Sequence, residues 1–291
     1  MCFEIKILIN QLRKGKKNYF NHMKIILSRK GFDKANGGQP SPILPDGTLL
    51  SLPIPMKGDK IKFSELSYKD KSYLDIITEL NPKTTLIKDD IPAHLDPDLR
   101  KDAHQPRLEN WKAIFGQSDS SLTHLREQNV GTNDIFLFFG WFRQTKEVDG
   151  KLKYTGPDLH IIYGYLQIGE IYLNGEIFPE YSMNHPHLNE ERQQLKQNGI
   201  YVAKDNLSFN KNLPGANTLN YNKSLVLTKD GETRSKWELP DFFKELRISY
   251  HDADSFKDNY FQSAYPGQEF VIEENDKVTE WAKNLIANNK A

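Results

Sequence analysis

Arg29, Lys30 and Asp33 leave a short apolar strand together, and the glycine pair Gly37-Gly38 follows shortly after the acid. The run reads Leu27-Ser28-Arg29-Lys30-Gly31-Phe32-Asp33, then Gly37-Gly38-Gln39-Pro40-Ser41-Pro42. Strand ends that enter glycine-containing loops let backbone N–H groups approach a phosphate, and arginine adds a forked donor. Arg29 and Lys30 are therefore candidate phosphate ligands, with Asp33 as a proton acceptor or an orienting carboxylate. Gly37 and Gly38 let the chain pass close to a ligand where a bulkier residue could not. The same spacing also describes a solvated basic turn whose glycines only set backbone geometry.

Histidines supply the next candidates. His251 follows Tyr250 at the end of an expected strand, beside Asp252 and Asp254, a setting suited to a general base or to a hydrogen-bonded structural histidine. His185-Pro186-His187 offers two imidazoles, and a metal site would need a third ligand from His160, His251, His104 or an acid. The competing reading is a pair of surface histidines flanking a proline turn, and the expectation adopted is no metal. Asp96-Pro97-Asp98-Leu99-Arg100 fits Mg²⁺ or a sugar hydroxyl, or a capped turn with a local ion pair. Trp141, Phe142 and Arg143 at one strand end, with Tyr163 and Tyr165 on the next strand, could stack a base and touch its phosphate. Large aromatics in strands also read simply as core. The order of acidic turn, apolar strand and second strand is loosely similar to the barrel hairpin of PUA-like modified-base readers.

The elements that must hold these groups follow from patterning. Residues 24–28 form a clean apolar strand. From Gly31 to Gly58, prolines 40, 42, 45, 53 and 55 forbid helix and confine strand to an edge. Asp46-Gly47 marks a turn before a short strand over 48–52. A helix is predicted over about 68–80, with Ser67 and Asp70 as a capping box and Asn81-Pro82 as its stop. Residues 81–117 read as loop, and a short helix follows around 119–128. Residues 135–142 and 159–168 are continuous apolar and aromatic runs joined through Asp149-Gly150, so they predict a buried antiparallel pair. Shorter strands are expected at 200–203, 225–228, 247–250 and 270–272. Val278, Trp281, Ala282, Leu285 and Ile286 make an amphipathic stripe on a final helix. The expected architecture is α+β: a mixed or antiparallel curved sheet, or partial barrel, with a few peripheral helices in a single domain.

Composition sets outer bounds. With 37% apolar and 11% aromatic residues the chain has ample core material, which excludes wholesale disorder. No apolar run approaches the ~20 residues of a membrane-spanning helix, so a cytoplasmic protein without membrane partners is expected. Cys2 is the only cysteine, which leaves no internal disulfide and no cysteine-based zinc cluster. Residues 1–22 carry five basic side chains against Glu4 alone, and the remaining 34 basic and 38 acidic residues are net negative by four. A body of that charge is no bulk duplex-DNA binder, because such binding comes from many Lys and Arg contacts to phosphates. Residues 1–22 read as an extension outside the domain, with Met23 as an alternative start, and 23–291 as the domain. No G-x-G-x-x-G, G-x-x-x-x-G-K-[ST], H-E-x-x-H or G-x-S-x-G signature occurs, so no common motif declares the chemistry, and the sequence leaves any cofactor open.

One resemblance covers the chain from Met23 to Trp281. The run from Met23 to Asp33, then Gly37-Gly38, Pro40-Ser41-Pro42-Ile43, Asp46-Gly47-Thr48 and Ser51-Leu52-Pro53-Ile54-Pro55, resembles the nucleotide modification associated domain 3 family. Later segments extend the likeness: Asp96 to Arg100, Phe115-Gly116-Gln117, Phe138 to Phe142, His160 to Gly169, Leu213-Pro214-Gly215, Ser235 to Pro240, Ser249-Tyr250-His251 and Gly267 to Phe270. The resemblance implies a bacterial or phage domain linked to modification of nucleotides or DNA bases, and it carries over no catalytic residues. Two classes follow. One is an enzyme acting on a nucleotide or flipped DNA base, with Arg29 and Lys30 on phosphate and Asp33 or His251 moving protons. The other is a non-catalytic reader with an aromatic pocket near Trp141 and Tyr165. Convergence of Arg29, Asp33 and His251 in one cleft favours the enzyme.

Overall fold

Three consecutive aliphatic residues, Ile25-Ile26-Leu27, make a strand buried on both faces, and the sheet is assembled around it. The computed structural model describes residues 23–86, 91–263 and 268–289. The basic segment 1–22 lies outside the described residues. The main sheet comprises β1 (Ile25–Arg29), β2 (Ser41–Ile43), β3 (Ile114–Ser118), β4 (Ile135–Val148), β5 (Lys151–Leu173), β6 (Asn198–Ala203), β7 (Ala216–Thr218) and β8 (Glu269–Val271). Its order is β8-β1-β4-β5-β6-β3, with β2 added to β4 and β7 to β5. β1 runs parallel to β4, pairing Ile25 with Ile135, and antiparallel to β8, pairing Leu27 with Phe270. The other neighbours along the order pair antiparallel, so the sheet is mixed.

The β4–β5 hairpin is the spine. Asp149 and Gly150 both have positive φ, 52° and 70°, the turn geometry that matches the twist of two long strands. Register shifts near Phe138, Phe142 and Ile168 put bulges in these strands, which curl the sheet into a half-barrel. Among the described residues four helices flank it: α1 (Tyr73–Leu80), α2 (Asp119–Glu127), the single turn α3 (Glu190–Gln193) and α4 (Asp276–Asn288). Val278, Ala282, Leu285 and Ile286 bury one stripe of α4 in the same core as β1. A second apolar cluster, including Phe32, Leu52, Phe63 and Ile77, fixes the proline-rich segment that follows β1. The fold is α+β in a single domain. Among the described residues, no helix is long and apolar enough to cross a membrane.

Several local expectations are corrected. The helix expected from 68 begins at Tyr73: Ser72 is its cap, bonded reciprocally with Asp75. Ser67–Tyr68 instead pairs with Lys71–Ser72 in a tight hairpin around Lys69, whose φ is 54°. The segments 48–52, 225–228 and 247–250 form single bridges, such as Ile43 to Leu49 and Ile248 to Ile272, rather than strands. Residues 114–118, expected as loop, are β3.

Candidate functional site

β1 delivers its last residues to the rim of a cleft of about 890 Å³. Arg29 ends the strand, and the Lys30 N–H still bonds to the Phe139 carbonyl at 2.9 Å before the chain turns away. Arg29 and Asp33 both line the cleft. The Asp33 carboxylate caps its own turn, accepting from the Ala35 and Asn36 amides at 2.8 and 2.7 Å. Gly37 and Gly38, at φ +92° and +69°, do not line the cleft; a Cβ on Gly37 would stand 2.3 Å from the Phe32 ring. The glycine pair therefore shapes the turn and seats Phe32 beneath it.

Lys30 also lines the cleft, but its ammonium is bonded to the buried Glu269 at 2.9 Å, and its own side chain is largely covered. Its Nζ lies 4.7 Å from the centre of the Phe115 ring, and Gln117 Nε2 and the Ser28 hydroxyl also donate to Glu269. Lys30 thus neutralises a buried carboxylate.

Arg192 and Arg234 also line the cleft; sequence reasoning missed Arg234 because it follows Lys229-Asp230-Gly231 and reads as a polar turn. Its guanidinium carbon stands 4.2 Å from the centre of the Trp141 ring. The Trp237 indole N–H and the Thr228 hydroxyl hold the Arg234 carbonyl at 3.0 and 3.1 Å. Burial pulls the Arg234 guanidinium below its ordinary value; nearby Arg29 adds repulsion, while Asp158 and Asp33 oppose it. His160 completes this wall. Its Nδ1 accepts from Trp237 Nε1 at 3.0 Å, so Nε2 carries the proton of the neutral ring. Burial, reinforced by Arg234 and Arg29, pushes His160 down to about 3.

Of the other predicted residues, Trp141 joins this wall, whereas Arg143, Tyr165 and His251 lie apart from it. Trp141 lines the cleft at 9% exposure, with Arg234 over its ring. Arg143 is outside the lining and pairs with Asp158 through Nε at 2.8 Å. Tyr165 is buried, its hydroxyl donating to the Pro214 carbonyl at 3.0 Å, and cannot stack a base. His251 is outside the lining too, packed on Phe261 and Phe270, with Nδ1 3.2 Å from the Ser255 hydroxyl. Burial pushes His251 down to about 4. Arg29 and Asp33 converge; His251 does not join them.

Deeper in the same cleft stand His94, Asp96 and His187, all buried, with one ligand atom from each within 4.8 Å of the others. His94 Nδ1 is 2.6 Å from Asp59 Oδ2, and Asp59 Oδ1 accepts from Asn189. His187 Nδ1 is 2.8 Å from Asn198 Oδ1, whose amide nitrogen donates to the His187 carbonyl. Asp96 Oδ1 accepts the Gly116 N–H at 2.7 Å. Gly116 also makes room for the imidazole, since a Cβ there would lie 2.3 Å from the His187 ring. Burial opposes charge on Asp96, yet the neighbouring His185 imidazole holds its carboxyl well below the usual range. Burial pushes His187 well down, with Asp96 opposing. His185 Nε2 is 3.3 Å from Asp96 Oδ1, with its own Nδ1 accepting from the His187 N–H. Of the Asp96–Arg100 turn, Asp98 is paired in bidentate fashion with Arg107, and Arg100 with Asp102.

An α+β half-barrel with an arginine- and histidine-lined cleft at the end of β1 is the class these features define. The chain belongs to the nucleotide modification associated domain 3 family, which it matches over residues 24–273. No curated protein matches the chain, and no solved structure does.

Proposed function

We propose that the cleft binds a nucleotide, free or swung out of a nucleic-acid strand, and that this binding serves nucleotide or base modification. The observation that carries the reading is the pairing of Arg29 and Arg234 on one cavity of about 890 Å³, the size range of small-ligand sites. Two guanidinium groups lining one partly desolvated space, with Asp33 and Asp158 beside them, offer forked donors to an anionic ligand such as a phosphate. The His160 Nε2–H adds a neutral donor on the same wall, and Trp141 holds Arg234 in place as a planar platform. The family supports association with nucleotide modification. Tyr165 drops out of the aromatic reader pocket because it is buried, and the Trp141 face is taken by Arg234. A balanced net charge of +0 accords with a ligand gripped at a small site rather than along a duplex.

Calorimetric titration with 5′-mononucleotides and the matching nucleosides, at low salt, tests this. Nucleotides should bind and nucleosides bind at least tenfold more weakly. Arg234→Ala should lose more than tenfold in nucleotide affinity, since truncating a buried charge partner typically costs about 2–5 kcal/mol. Equal affinity for nucleotide and nucleoside would overturn the reading.

A further inference from the structure

We propose that His94, Asp96 and His187 bind a first-row divalent transition-metal ion, of the Fe²⁺, Mn²⁺ or Zn²⁺ kind, at the floor of this cleft. The site departs from the metal-free protein expected from sequence, and it stands on its own geometry rather than on the nucleotide reading.

The argument begins with hydrogen bookkeeping. Asn198 Oδ1 is an acceptor, so the His187 Nδ1 facing it carries the proton and Nε2 bears the lone pair. The Asp59 carboxylate likewise takes the proton of His94 Nδ1, leaving Nε2 as the lone-pair nitrogen. Asp96 has its Oδ1 occupied by the Gly116 N–H, while Oδ2 is 3.9 Å from His187 Nε2. Three acceptors therefore converge in a buried space, and among the described residues nothing donates to either Nε2. Acceptors brought together at the cleft wall without a protein donor repel one another, and a cation resolves that cost.

The outer partners are those that metal-binding histidines use. A carboxylate or carbonyl on the far nitrogen fixes the tautomer and ring orientation and raises ligand basicity. Here both imidazoles have one, Asp59 and Asn198, and each partner is itself anchored, by Asn189 and by Asn174. Gly116 both orients Asp96 and vacates the space that the His187 ring fills. Two imidazoles with one carboxylate suit Fe²⁺, Mn²⁺ or Zn²⁺ better than Mg²⁺ or Ca²⁺, which favour all-oxygen shells. Bonds of about 2.0–2.2 Å would set the donors roughly 3–3.5 Å apart, so the triad tightens slightly as it binds. Because the triad opens into the cleft, the remaining coordination positions face the space shared with Arg29 and Arg234. A metal there can activate a water or hold a substrate oxygen, which is the arrangement of an enzyme rather than of a passive reader.

The test uses the full chain, stripped with a chelator and then titrated with Co²⁺ followed by visible absorption, and with Zn²⁺ followed by histidine ¹⁵N resonances. One equivalent should bind, two of the eight histidines should shift at Nε2, and excess Mg²⁺ should not compete. His94→Gln and His187→Gln should each lose binding by at least tenfold, and Asp59→Asn should weaken it by about 10–100-fold. Absence of a histidine shift in the wild-type chain would overturn the proposal even if the variants failed to fold. So would Co²⁺ binding that survives both histidine substitutions. No nucleotide is present, so failure here speaks to the triad, whereas failure of the mononucleotide titration speaks to the arginines.

Discussion

The Arg234 guanidinium carbon rests 4.2 Å from the centre of the Trp141 ring, which turns an aromatic strand residue into the support of a cation. Arginine stacks on an indole face while its edge N–H groups stay open to a ligand, and lysine cannot reproduce that fork. Trp141→Leu should therefore weaken mononucleotide binding several-fold although it removes no charge. Arg234→Lys should behave nearly as poorly as Arg234→Ala. Calorimetric affinities for the three variants check this; full affinity in Arg234→Lys would show that only charge matters.

Lys30 tests the distinction between a ligand contact and a structural ion. Its ammonium is 2.9 Å from Glu269, whose side chain is 2% exposed. Breaking a buried pair by removing one partner typically costs about 3–5 kcal/mol, because the other charge is left uncompensated. Lys30→Met should lower the unfolding free energy by about that amount, and Lys30→Met/Glu269→Gln should recover much of it. Urea unfolding of wild type, single and double variants measures both effects. A stable Lys30→Met with lost nucleotide affinity would return Lys30 to the phosphate site.

Acid should unfold the protein through its buried neutral histidines. His160 is held near 3 in the fold by burial and by Arg234 and Arg29, against about 6.5 for an unfolded histidine. Between those values the unfolded chain binds a proton that the native one refuses, so stability falls as pH drops. The full contribution is present above about pH 6.5. His251, pushed down to about 4, acts in the same direction. His160→Asn keeps an acceptor for the Trp237 indole without titrating. Its stability, measured from pH 7.5 to 4.5, should fall less steeply than wild type; parallel curves would show that His160 titrates normally.

The domain boundary gives a further expectation. The hydrogen-bonded sheet starts at Ile25, Met23 is buried, and the family match opens at residue 24. A chain beginning at Met23 should melt within about 4 °C of the full-length protein, equivalent to roughly 1–2 kcal/mol at this size. Scanning calorimetry on both forms checks it, and a larger drop would place residues 1–22 in the fold.

The fold was legible where the hydrophobic signal was continuous. Ile25-Ile26-Leu27, the two aromatic runs joined at Asp149-Gly150 and the stripe from Val278 to Ile286 each specify their element locally. β3 was missed because Gly116, Gln117 and Ser118 look like loop; their composition answers to His187, Glu269 and α2, which sequence does not show beside them. The site was half legible. Arg29 and Asp33 were marked by the strand end, and Asp96 and His187 were noted separately. Asp96 and His187 meet only because Asp96 bonds to Gly116 on β3, which pairs with β6, where Asn198 holds His187. His94 carried the fainter signal of a His-Leu-Asp alternation in a proline-flanked segment. Gly37, Gly38, Arg143, Tyr165 and His251 fit the right chemistry by type but lie outside the cleft lining, and Lys30 lines it with its ammonium engaged by Glu269.

The most direct measurement follows the indole N–H resonances as a mononucleotide is added. The chain has four tryptophans, and each reports on a different surroundings. Trp141 lines the cleft under Arg234, whereas Trp281, on α4, packs on Phe243 and Trp111 lies beneath Arg107. If the nucleotide phosphate enters between Arg29 and Arg234, the Trp141 resonance should move most and saturate with the calorimetric affinity, while Trp281 and Trp111 stay fixed. A nucleotide that binds without moving Trp141, or that moves Trp281 or Trp111 instead, would contradict the account.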